Sequence, residues 1–110
     1  MEHAALDDET EAVEQVHLAQ LAAGDEMSVQ HFRIEPGATV PEHDHHHEQA
    51  GFIYEGELTF LLADGAVTVG EGESYVLAGH EVHGAENRGD VPVRGVDIFA
   101  PPRVDPDWAE

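Results

Sequence analysis

Turn residues constrain this chain's fold more than any other feature. Gly and Pro recur throughout residues 24–102 and divide them into apolar-rich runs of about four to nine residues, too short for stable helices. Asp64-Gly65 is the sharpest of these breaks. It separates the runs 57–62 and 66–69 with the two-residue chemistry of a tight β-hairpin. Further runs at 27–34, 51–54, 74–77 and 91–99 are set apart by Glu35-Pro36-Gly37, by Glu55-Gly56 in an expected second hairpin, and by Gly70 and Gly72. Short strands at nearly regular intervals predict an all-β sandwich or barrel, ended by Pro101-Pro102, which cannot donate to a ladder.

The N-terminal third is less decided. Val16, Leu18 and Gln20 alternate with His17 and Ala19, which predicts a strand, but the alanines of residues 11–23 make a helix the competing assignment. At 110 residues the chain suits one domain with one core. We expect an acidic, mobile segment at 1–12, a single domain at 13–104 and a tail at 105–110, with Trp108 docked on the barrel or on a second subunit.

Charge narrows the partners. There are 24 acidic residues against four Arg and no Lys, a formal net charge of −20. Such a surface excludes nucleic acid, whose phosphates require Lys and Arg. The acids are scattered, which fits a salt-loving cytoplasm better than a docking patch for a basic partner. The expectation is a thermal midpoint that rises from dilute buffer towards molar KCl as repulsion is screened. No run approaches the ~18 apolar residues of a membrane span, and the acidic start is unlike a signal peptide, so a cytoplasmic protein with no membrane partner is expected.

With no cysteine, any bound metal must sit on nitrogen and oxygen. His43 and His45 are two apart, so on a strand both would leave one face with Cα atoms ~6.5 Å apart. Gln49 keeps that parity and offers an amide oxygen, and His83 could arrive from a neighbouring strand. The competing reading is a solvated polar loop, since residues 42–48 hold four histidines. By parity His46 points away, and His47 is an alternative ligand. His80 reads as a turn residue, while His3, His17 and His31 show no ligand spacing. Phe52, Tyr54, Phe60 and Tyr75 read as packing.

These residues resemble the cupin superfamily. Gly37, His43, His45, Gln49 and Gly56 follow the spacing of its first motif, G(x)5HxH(x)3E(x)6G, and Gly72, His83 and Asn87 follow the second, G(x)5PxGxxHxxxN. The resemblance covers roughly residues 29–99 and implies a small double-stranded β-helix, or jelly-roll, barrel that holds one divalent ion through His43, His45, Gln49 and His83. Three positions depart: Gln49 replaces Glu, Ala78 replaces Pro and His80 replaces Gly. Neutral Gln49 would leave the site about one charge more positive, a better Lewis acid.

The chain is also similar to the pectin-degradation cupins, which linearise unsaturated uronates, at residues 45–49 and at Asp97, Phe99 and Arg103 in a D-x-F-x-P-P-R ending. That likeness implies Asp97 as a proton shuttle and Arg103 as a clamp for an anionic substrate. It also implies a homodimer paired through residues 13–21. The leading expectation is a Lewis-acid isomerase or lyase on a small carboxylated sugar or keto acid. A mononuclear dioxygenase and a non-catalytic ligand-sensing module are the alternatives, and Mn, Fe, Co, Ni, Cu and Zn all suit the donors.

Overall fold

The computed structural model describes residues 1–103, which hold ten strands and no helix. In chain order they are β1 (Thr10–Val13), β2 (Val16–Ala23), β3 (Ser28–Ile34), β4 (Thr39–His43), β5 (Glu48–Glu55), β6 (Leu58–Leu62), β7 (Gly65–Val69), β8 (Ser74–Leu77), β9 (His83–Glu86) and β10 (Val93–Ala100). All pairings are antiparallel. One sheet has the order β1-β2-β3-β10-β5-β8 and the other β4-β9-β6-β7, the two halves of a double-stranded β-helix.

Alternation builds the core. On β10, Val93, Gly95, Asp97 and Phe99 are buried while the residues between them are more exposed, and on β3 Ser28, Gln30, Phe32 and Ile34 face inward in the same way. Ile53 and Val93 are fully excluded from solvent, and Phe32, Leu58 and Phe60 join them in one cluster.

Cross-strand register arranges the inner face of the larger sheet as rungs. Val16, Ile34 and Val93 form one end. Leu18, Phe32, Gly95 and Ile53 come next, then Gln20, Gln30, Asp97, Gly51 and Tyr75, then Ser28, Phe99, Gln49 and Leu77. The barrel therefore changes from apolar to polar within two rungs. Gly51 permits the change, because a side chain there would collide with the Tyr75 ring and with Asp97 Oδ1. Any larger residue would part Tyr75 from Asp97.

Two expectations are corrected. Glu55-Gly56 does not close a hairpin, because β5 and β6 belong to different sheets and the turn is a corner between them. Gly56 adopts φ 78°, and a Cβ there would lie 2.6 Å from the Pro92 carbonyl oxygen. The hairpin expected at Asp64-Gly65 exists but slips by one residue: Leu62 pairs with Gly65, so the loop is Ala63-Asp64 and Gly65 opens β7 at φ 139°. Residues 16–23 form β2 rather than the competing helix.

Pairing also begins inside the stretch expected to stay mobile. β1 covers part of the β2 edge, with Thr10 opposite Leu18, and Glu9 forms an ion pair with Arg33 at 2.8 Å. The tail at 105–110, with Trp108, lies outside the described residues.

Candidate metal centre

The strand-parity argument for His43 and His45 fails in detail. β4 ends at His43, and His45 stands in the loop that carries the chain to the other sheet. The three imidazoles converge nonetheless. His43 pairs directly with His83 across β4 and β9, while His45 reaches over from the loop, with ring centroids 5.2 Å from His83 and 5.7 Å from His43. One ring nitrogen from each of the three lies within 4.8 Å of the others, so the cluster could hold a metal ion.

Each ring is aimed by its other nitrogen. Nδ1 of His43 lies 2.9 Å from the Pro41 carbonyl, that of His83 2.8 Å from Glu81 and that of His45 3.0 Å from His47. A carbonyl only accepts, so Nδ1 carries the proton and Nε2 keeps its lone pair for the centre. Burial also pushes the His45 and His83 imidazoles below the ordinary 6.5, which favours the neutral form that binds metals.

Gln49 approaches from β5. Its Oε1 lies 3.0 Å from His45 Nε2, while its amide donates to the Asp97 carboxylate, which fixes the oxygen towards the histidine. A lone-pair nitrogen and a carbonyl oxygen have no proton to share. Two ligands at ~2.1 Å from one ion and at right angles sit about 3 Å apart, so this contact fits a shared cation. His43, His45, His83 and Gln49 therefore suit a divalent ion.

Beside them lies an acid. Asp97 on β10 is buried, and desolvation pushes its carboxyl up to about 6 from 3.8, against hydrogen bonds from Tyr75 and Gln49 and the nearby Arg103 charge. The Tyr75 hydroxyl donates to Asp97 Oδ1 at 2.5 Å, and burial raises its own pKa far above the ordinary phenol range, so it stays a donor. Arg103 is anchored by its backbone N–H, which donates to Ser28 Oγ at 2.7 Å. Its guanidinium lies 5.2 Å from the centre of the Phe99 ring. Sequence alone left Tyr75 as packing, since its partner stands 22 residues away on a strand that β8 does not pair with.

The remaining histidines have other places. His47 packs edge-on to Phe99 at 5.8 Å and stacks with His46 at 4.0 Å. His80 occupies the motif's glycine position with φ 65°, and its N–H donates to the His45 carbonyl at 2.7 Å. Asn87 is a staple: its amide donates to the carbonyls of Ile34 and Val91, and its oxygen accepts from Gly89.

A two-sheet antiparallel barrel defines a class, the double-stranded β-helix, and this one carries at the polar end of its interior a histidine cluster that could hold a metal ion. Residues 30–99 match the family described as Cupin domain, and the chain belongs to that family. Among solved structures it is similar to KdgF from Halomonas sp., with a TM-score of 0.82, 22% identity and 90% of each chain covered. An RmlC-like cupin from Shewanella frigidimarina superposes with a TM-score of 0.81 at 21% identity, over 96% of this chain and 98% of that one. The polyketide cyclase RemF from Streptomyces resistomycificus gives 0.76 at 19% identity, over 84% and 72%. At these identities the likeness is one of fold.

Proposed function

We propose that this cupin binds one divalent transition-metal ion through His43, His45, Gln49 and His83 and catalyses an isomerase or lyase reaction on a small carboxylated sugar or keto acid. The observation that carries the reading is the pairing of two acceptors, His45 Nε2 and Gln49 Oε1, beside a buried acid that titrates near neutrality. When bound, the ion supplies positive charge to polarise a substrate carbonyl or hydroxyl oxygen.

The protein's own groups do the rest. Asp97, with a carboxyl near 6, takes a proton from carbon and returns it, which a strongly acidic carboxylate does poorly. Tyr75 and Gln49 hold that carboxyl in one orientation. Arg103, braced on Phe99, clamps the substrate carboxylate in a forked pair. An uncharged Gln49 amide leaves the bound ion's charge undiminished, which favours Lewis-acid chemistry over the dioxygenase alternative.

Two copies of the chain would pair through residues 13–21, where β1 and β2 stand at one edge of the larger sheet. Sedimentation in molar KCl at the mass of a monomer contradicts that pairing.

Exchange of the C3 protons of 2-oxobutanoate in deuterium oxide, followed by proton NMR on the metal-loaded protein, tests the chemistry. The parent should catalyse exchange, and Asp97→Asn should lose about 10²–10⁴-fold while keeping its metal. Exchange at the parental rate in that variant rules out the role given to Asp97.

A further inference from the structure

The cavity inside the barrel, of about 310 Å³, has two unlike ends. His43, Gln49, His83, Asp97 and Arg103 line one of them. Away from these the wall is Leu18, Phe32, Ile34, Val40, Leu58 and Phe60. The rungs of the larger sheet explain the division: the polar rung of Gln30 and Asp97 is followed at once by Leu18 and Phe32. Glu42 and Tyr75 also line the cavity, but Glu42 adjoins His43 and the Tyr75 hydroxyl is engaged by Asp97; the polar side chain that borders the apolar part is Gln30. It is only 4% exposed, and its Oε1 accepts no hydrogen bond from any described residue.

This wall has consequences for the substrate class left open above. A sugar acid carries several hydroxyls, and in a wall without donors or acceptors each buried, unpaired hydroxyl costs roughly tenfold in affinity. Gln30 Oε1 can satisfy one donor and no more than two. The space is about twice the ~150 Å³ cavity that holds a benzene ring, enough for an aryl or branched alkyl body.

Resting on the site reading given above, we infer that the cavity selects a keto or hydroxy acid with an apolar body, bearing at most one or two O–H or N–H donors for Gln30, and rejects polyhydroxylated sugar acids. The carboxylate and its neighbouring oxygen stay at the histidine end, and the apolar body lies along Leu18, Phe32 and Leu58.

Calorimetric titration of the full chain in molar KCl with 4-phenyl-2-oxobutanoate and with D-galacturonate tests this, on zinc-loaded and on metal-stripped protein. The phenyl acid should bind at least tenfold tighter in both states, because the preference comes from the wall. Stripping the metal should weaken both ligands together, and unchanged affinities on stripping would count against the metal reading alone. Equal binding, tighter binding of galacturonate, or no binding of the phenyl acid at millimolar concentration overturns the inference.

Discussion

His83 and His31 are equally buried, at 4% exposure each, and burial lowers the pKa of both, yet they stand on opposite sides of the barrel wall and do different work. His83 faces inward. Its Nδ1 is tied to the Glu81 carbonyl, and its ring meets those of His43 and His45. His31 faces outward from β3, beneath Leu6, Asp7 and Glu9. There the tie is reversed: Nε2 lies 2.6 Å from the Tyr54 hydroxyl, and Nδ1 has no hydrogen-bond partner among the described residues. Burial and a lowered pKa therefore do not mark a ligand. What marks one is the number of nitrogens left free and aimed at a common point.

The largest contrast should appear in metal affinity. His83→Ala should weaken zinc binding at least about 100-fold in a competition titration, and His31→Ala should leave it unchanged. An equal loss in both variants would break the distinction between the two histidines.

Stability should reverse the order. His31→Ala removes a packed ring and its hydrogen bond with the Tyr54 hydroxyl, at a cost of about 1–3 kcal/mol in urea unfolding. In metal-stripped protein His83→Ala should cost less, since it thins a cluster of facing lone pairs. A larger loss from His83→Ala would mean that the cluster is built for folding.

A smaller effect sharpens the outer side through pH. Desolvation is the main cause that holds the His31 imidazole below 6.5, and the Arg94 and Arg33 charges add to it against the pull of Glu9. Between 6.5 and its folded value the unfolded chain takes up a proton that the folded protein refuses, so stability falls as pH drops through that window. His31→Gln lacks this loss, and its deficit against the parent should shrink on acidification. A deficit that grows would mean that the folded state protonates His31 more readily than the unfolded chain does.

The smallest effect should come from Glu9→Gln, which weakens a half-exposed ion pair with Arg33 by about 0.5 kcal/mol, less in molar salt, and leaves metal affinity untouched.

How much of this was legible in the sequence follows from the range of each contact. Strands whose apolar alternation is local, such as β3, β8 and β10, were readable within two or three residues. β4 and β9 were not, because residues such as Pro41, Glu42 and Gly84 carry no alternation, and these strands exist through pairing with each other and with β6. The histidines and Gln49 could be found from motif spacing. The path by which they meet could not, because His45 belongs to a loop between sheets and local parity does not cross a corner. Tyr75, Gln30 and the need for glycine at position 51 depend on register across four strands, and no local pattern encodes that.

The central claim is that four convergent donors hold one ion. Elemental analysis of tag-free protein purified without added metal, beside Gln49→Ala and His83→Ala, tests it most directly. The account predicts about one equivalent of a divalent transition metal in the parent, little in His83→Ala and a reduced amount in Gln49→Ala. A parent protein that carries no metal and takes up none on titration, or variants that retain a full equivalent, would contradict it.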